Sequence, residues 1–434
     1  MDVYQVGIAQ TDITPPAGIF LAGFADRSEP SEGAYHPLRA VAVAIDDGKT
    51  PLLIVGAELL GFYDKTPAVR SAIKHATGLR DEQIILSGSH THCGPSIREW
   101  DKRHGPLNET YIASLIDRIA DIAQKAWQSR EPAQLQFGHG TCDMATCRRK
   151  PDPDSPPKIF ETMLPYPPGH SDHGVPVVTI ESPDGEMRGI IFSYACHPTS
   201  RGGLLAGGDY VAYALDSVEK QYPGATACFL QGCGGDQKPR PADPRDETFG
   251  SRSVEQVTDI GNELGAAVHA VIASGAMEPI EGDIAITRDF LDLETEPLDS
   301  DEIEKAKAPD KHWLIHQWAE YHEQRIAQGL PEQRIVPFEM QTVRFGDTLA
   351  IITLAGEMSA EYSLRLKKEL AASFKGVLPL GYTNDIVGYV PVQRQIPEGG
   401  YEVWRANQIH KRSGPYVART EDQIHKAVHA ALDI

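Results

Sequence analysis

Short apolar runs that stop at glycine, proline or a charged residue alternate along this chain with longer stretches of helical spacing. That alternation is what most constrains the fold. PLLIVGAELL (51–60), QIILSGS (83–89) and ATACFLQG (225–232) read as buried strands. Between the first two, KTPAVRSAIKHATG has helical periodicity and closes at Gly78, and Asn108 is placed to cap a helix through YIASLIDRIADIAQKAW. VPVVTIESPDGEMRGIIFSYACHPTS reads as two strands joined by an Asp-Gly turn, and FEMQTVRFGDTLAIITLAGE as a second such pair. VEQVTDIGNELGAAVHAVIASG and AEYSLRLKKELAA are amphipathic helices, and a polar helix is expected near 300–328. Strands and helices in mixed order predict an α/β fold with a mixed β-sheet core covered by helices. The 434 residues fit one large catalytic unit, 1–434, with a possible sub-boundary near 275–285. The Pro-rich, aperiodic segment 150–173 reads as a lid or pocket wall.

Charge narrows the function. Against 41 basic residues stand 61 acidic ones, a net −20 that repels a phosphate backbone or an anionic membrane, so no nucleic-acid partner is expected. No apolar stretch reaches membrane-spanning length, so no stable membrane insertion is expected either. The six cysteines form no Cys-x-x-Cys pair or dense framework, which fits reduced thiols, and Cys93, Cys196 and Cys233 are expected to pack behind the site. The opening residues lack the basic and apolar regions of a secretion signal, and a cytoplasmic location is expected.

The chemistry collects at strand ends. QIIL runs into SHTHCGP, with His90 and His92 one residue apart and expected on one face. IIFSYAC ends at His197, AGGDY presents Asp209, ACFLQ runs into the glycine-rich GCGGDQKP, and TLAIITLAGE presents Glu357. Catalytic zinc is typically held by about three His and carboxylate ligands with a position left for water, so this set predicts a metal site. Zinc exopeptidases share such clustering, but no pair of metal-bridging acids is placed as they require. A non-catalytic sugar or lipid-headgroup binder with a structural metal is the reading of another class. A set of His and carboxylates, not the cysteine-rich set common in closed structural sites, favours catalysis.

In this order the motifs SHTHCGP, HPTS, GGD, GCGGD and AGE, with the N-terminal GIAQTDITPPAGIFLAGFADR, resemble the neutral (non-lysosomal) ceramidase family of zinc-dependent amidases, over roughly residues 5–410. The resemblance implies a ceramidase-like catalytic domain with one Zn²⁺ per chain, held by His90, His197, Glu357 and Tyr389, the last from GYTNDIVGY. It also implies that Tyr401 of GGYEVW and Arg148 of CRRK stabilise the reacting carbonyl and that His92 faces the substrate; Asp209 is a further candidate, as a general base or to orient a ligand histidine. Gly235, Asp236 and Lys238 of the glycine-rich turn are expected to meet the substrate. The family carries a serine where this chain has Lys238, and its immunoglobulin-like C-terminal domain finds no match in the closing EDQIHKAVHAALDI. The expected activity is zinc-dependent hydrolysis of an amide or ester in a small polar molecule. Ceramide (N-acylsphingosine) is the alternative substrate.

Overall fold

Strand Arg39–Asp46 shows how the layers arise. Side chains alternate across a strand, and here Val41, Val43 and Ile45 enter one buried cluster while Ala40, Ala42 and Ala44 enter another. The large β-branched side meets a second sheet, and the alanine side lets helices approach closely.

The computed structural model describes residues 2–99 and 105–434. The first sheet is built from Tyr4–Asp12 (β1), Arg39–Asp46 (β2), Leu52–Ala57 (β3), Ile84–Gly88 (β4), Glu131–Thr141 (β5), Gly174–Glu181 (β6), Met187–Tyr194 (β7) and Thr226–Gln231 (β8). Their order is β8-β7-β6-β5-β1-β2-β3-β4, and Glu278–Pro279 adds to β5. The second sheet runs Ile284–Glu294 (β9), Ile335–Phe345 (β10), Leu349–Leu354 (β11) and Gly376–Leu380 (β12). Neighbours are antiparallel except β3/β4, β7/β8 and β11/β12. The predicted mixed α/β architecture is therefore present, with the strands divided between two sheets packed face to face. Val43, Ile54, Ile85, Leu135, Val178 and Ile191 of the first share a core with Val343, Phe345, Ile351 and Leu378 of the second.

Helices cover both outer faces. Thr66–Thr77 (α1) and Glu109–Gln128 (α2) pack on β2–β4, and Asp209–Gln221 (α3) and Val254–Ala273 (α4) on β6–β8. Asn108 caps α2 by accepting from the Tyr111 N–H at 2.9 Å, and Gly78 closes α1 with φ +76°. The predicted polar helix is two, Ser300–Ala306 (α5) and Trp313–Ala327 (α6). Ala360–Leu370 (α7) and the C-terminal helix Thr420–Ala431 cover the second sheet. Segment 150–173 has no helix, and its only β feature is a single Pro151–Ile159 bridge.

The site's position follows from strand direction. Parallel neighbours end at the same edge, and ligands in α/β sheets gather beyond carboxyl ends. The loops after β4, β8 and β12 meet there through bridges Ser87–Thr383 and Gly232–Leu380, and Glu357–Met358 pairs parallel with Tyr389–Val390.

Candidate active site

The segment after β4 leaves the extended conformation at once. His90 has φ +66°, a left-handed backbone rare outside glycine and held by hydrogen bonds from the Ser89 and His90 N–H groups to Ala57 and Leu59 O. His90 and His92 therefore meet through a turn, not by strand alternation, with ring centroids 5.1 Å apart. His90 Nδ1–H donates to Leu60 O at 2.7 Å, and His197 Nδ1–H donates to Gly234 O at 2.6 Å. Each bond fixes the ring and leaves Nε2 as the free lone pair.

Those two nitrogens converge. His90 Nε2 and His197 Nε2 each lie 3.3 Å from Glu357 Oε2, and the Tyr389 hydroxyl lies 3.1 Å from His197 Nε2. The parallel pairing places Glu357 directly opposite Tyr389. Gly235 permits it: its N–H donates to Met358 O at 2.7 Å, and a Cβ there would lie 2.4 Å from Glu357 O. Ring nitrogens of His90, His92 and His197 also all lie within 4.8 Å of one another, and both nitrogens of His92 are buried without a hydrogen-bond partner.

Burial and neighbouring charges shift these groups. Burial, with His90 and His197 nearby, pushes His92 well below its ordinary value; burial and Arg148 push His197 down to about 4. Burial alone would raise Glu357, but His90 and His197 outweigh it and hold its carboxyl well below the usual range. Two imidazole Nε2 atoms and a carboxylate around shared space form a donor set that fits a divalent cation.

Arg148 and Arg149 divide their work. Both donate to the buried Glu402, Arg148 through Nε to Oε1 at 2.8 Å and Arg149 to Oε2 at 2.5 Å. Arg148 faces the site, its guanidinium 5.4 Å from the Tyr389 ring and 5.8 Å from the Tyr401 ring. Arg149 turns away and donates to Gly399 O and Glu398. Gly399 and Gly400, at φ +69° and +83°, lead into a π-helical turn that begins at Tyr401, whose ring meets that of Tyr389 edge-on at 5.4 Å.

The remaining candidates lie around this centre. Asp209 accepts from the Ser200, Arg201 and Tyr210 N–H groups at 2.8–3.1 Å, and so pins the loop that follows His197. Asp236 accepts from Gln237 Nε2, the Ala360 N–H and Gln395 Nε2, so its carboxylate is engaged behind the site with Gly235. Lys238 is half-buried with Nζ 5.1 Å from the Phe249 ring, and burial and Arg148 push its ammonium down to about 8. Among the described residues, no carboxylate lies within ion-pair distance of it. All six cysteines are free and buried.

Sequence reasoning passed over two residues. Tyr382 lies 4.3 Å ring-to-ring from His90, with its hydroxyl 3.4 Å from His197 Nδ1. Glu402 holds both arginines. Each sits inside a quoted motif, GYTNDIVGY and GGYEVW, and that proximity was the available signal. A pocket of about 60 Å³ is lined by His90, His92, Glu357, Tyr389 and Tyr401. Tyr401 also lines a cleft of about 630 Å³, between the 152–161 loop, α5–α6 and residues 398–408.

A family model described as neutral/alkaline non-lysosomal ceramidase, N-terminal, matches residues 4–310. The neutral ceramidase of Mycobacterium tuberculosis is 24% identical over 471 aligned residues, covering 92% of this chain and 73% of that protein. Neutral ceramidase B of Dictyostelium discoideum is 26% identical over 266 residues, covering 56% of this chain and 36% of that protein. The crystal structure of the neutral ceramidase from Pseudomonas aeruginosa superimposes with a TM-score of 0.76 at 19% identity, covering all of this chain and 75% of that one. No helix among the described residues is long and apolar enough to cross a membrane. The chain belongs to the neutral/alkaline non-lysosomal ceramidase family, and by that membership is a hydrolase.

Proposed function

We propose that this protein hydrolyses an amide or ester bond in a small polar substrate with the help of one bound metal ion. The observation that carries this is the convergence of two histidine Nε2 atoms on the Glu357 carboxylate, with the Tyr389 hydroxyl 3.1 Å from His197 Nε2 and the unpartnered nitrogens of His92 alongside. His90, His197, Glu357 and Tyr389 would hold the ion, with His92 adjacent. When bound, the ion, zinc by the family resemblance, supplies Lewis acidity and lowers the pKa of a water to roughly 7. Tyr401 lines the pocket and Arg148 is buried beside its ring, and both would donate to the carbonyl oxygen as its negative charge grows. His92, which lines the pocket with both ring nitrogens unpartnered, would stabilise the oxyanion or shuttle a proton. Asp209 acts through the 197–201 loop as a positioning residue.

The 60 Å³ pocket takes only the scissile group, so the rest of the substrate passes Tyr401 into the larger cleft. Lys158, Lys305, Lys311, Arg405, Glu161 and Glu302 among its lining residues suit a polar body better than two alkyl chains. Lys238, an ammonium where the resemblance expects a serine, supports the same choice. The relatives' names make N-acylsphingosine the competing substrate. A cytoplasmic location is part of the proposal, in keeping with the free thiols.

Two measurements test it. Purified protein should carry about one equivalent of divalent metal, and the His90→Ala/His197→Ala double variant should lose it. A panel of short amides, esters, lactones and a ceramide should show turnover on the polar members. Stoichiometric metal with ligand binding but no turnover would favour a binding protein, and preference for ceramide would restore the sphingolipid substrate.

A further inference from the structure

Asn384 belongs to GYTNDIVGY but touches none of the groups assigned above. It is 1% exposed, has φ +54°, and follows Tyr382 by two residues on the loop that leads to Tyr389. Its backbone N–H donates to Leu86 O at 2.7 Å, and its Oδ1 accepts from the Leu86 N–H at 3.0 Å. Leu86 lies on β4, the edge strand of the first sheet, four residues before His90. The side-chain amide donates in the other direction, to Glu339 Oε1 at 3.0 Å and Gln341 Oε1 at 3.1 Å, both on β10 of the second sheet. Glu339 is itself held by Arg70 of α1, at 2.6 and 3.0 Å, and by Arg288 of β9 at 2.9 Å. One buried amide thus spends its N–H, its Oδ1 and both Nδ2 hydrogens on a link between the two sheets, and its left-handed backbone is the conformation in which all four bonds form at once.

The link lies where register matters to the candidate centre. His90 follows β4 of the first sheet, whereas Glu357 follows β11 and Tyr382 and Tyr389 follow β12 of the second. The shared apolar core sets the overall spacing between these halves, and contacts at this end of the sheets set it locally. Asx side chains accept local backbone bonds and tolerate the left-handed region, and of the two only asparagine also donates to carboxylate and amide oxygens. Aspartate in its place would set a second carboxylate against Glu339.

We infer that Asn384 is a positioning residue whose clasp between β4 and β10 sets the distance of His90 from Glu357 and Tyr389, and thereby the metal affinity of the centre. This rests on the metal reading proposed above. The test uses the full chain, stripped of metal and titrated with Zn²⁺ and Co²⁺ against a chromogenic chelator. Asn384→Ala is compared with Arg288→Ala, which breaks a bond to the same Glu339 without touching the 382–389 loop.

Asn384→Ala should bind metal about tenfold more weakly or worse, with the Co²⁺ absorption bands shifted from wild type, whereas Arg288→Ala keeps wild-type affinity and bands. Asn384→Ser, which retains a short acceptor towards Leu86, gives a second reading if the alanine variant is poorly folded, and should fall between. If the Asn384 variants lose thermal stability but keep metal affinity within about twofold and an unchanged Co²⁺ spectrum, Asn384 is structural only and the inference fails. A wild-type protein that binds no metal would instead remove the functional proposal itself, so the two failures are separable.

Discussion

Lys238 concentrates the question of substrate in one side chain. An ammonium pushed down to about 8 by burial and Arg148 is still mostly protonated at neutral pH, and it has no carboxylate partner among the described residues. A half-buried unpaired cation beside a second cation is costly, and the cost falls when an anionic ligand group arrives. Lys238→Ser should therefore lower kcat/KM on a substrate with a carboxylate in its acyl part by about 10–100-fold, the value of a charge-assisted hydrogen bond. On the neutral analogue it should change little. For the wild type, discrimination in favour of the anionic substrate should fade as pH rises through about 8, where the ammonium is lost. Equal kinetics of variant and wild type on the anionic substrate would make Lys238 a surface residue. At this scale the sequence is legible where chemistry demands a residue type at a strand end, as at His90, His197 and Glu357. It is much less so where neighbours compete. Arg148 and Arg149 are adjacent, and only the fold turns one to Tyr389 and the other to Gly399. Asp236 sits in a turn that looks open from sequence, yet its carboxylate is engaged by Ala360 and Gln395.

Between elements, the irregular 150–173 segment needs an anchor, since it contributes no ladder of its own. Asp172 provides it by accepting from Lys367 Nζ at 2.6 Å and Ser363 Oγ at 2.5 Å on α7, and from the Gly174 N–H at 3.0 Å. Burial alone would raise its pKa, but Lys367, with the Ser363 and Gly174 bonds, outweighs burial and lowers it. The sign follows: a carboxyl depressed below its unfolded value near 3.9 stabilises the fold above that pH, and the contribution is lost as pH falls through the folded value. Asp172→Asn should cost about 2 kcal/mol at pH 7, measured by urea unfolding, and its deficit should shrink below about pH 4. A deficit independent of pH would mean that the loss is of shape and not of charge. The irregularity of this segment is legible from its prolines and missing periodicity. Its docking on α7 is not, because an aspartate before a strand carries no mark of a lysine 195 residues further on.

For the whole molecule, the issue is whether two sheets make one folding unit. A sub-boundary near 275–285 was expected from the change of pattern, and the chain does pass from the first sheet to the second there. That passage is not a free linker. Glu278–Pro279 pairs with β5, Tyr4 OH donates to Gly282 O at 2.8 Å, and the Tyr4 and Phe345 rings meet edge-on at 5.7 Å across the sheets. Period-2 patterning could say which residues of each strand are buried, but not that strands on either side of residue 280 bury theirs against each other. Because the apolar faces of both sheets form one cluster, we propose a single cooperative domain. Phe345 is 1% exposed within that cluster and meets Tyr4 of the first sheet, so Phe345→Ala removes a ring that both sheets share. The variant should lose about 3–5 kcal/mol and still unfold in one transition, with far-UV and near-UV signals moving together at a lower denaturant midpoint. If the two signals separated, with one sheet melting while the other kept its ellipticity, the halves would be independent domains and residues 275–285 their hinge.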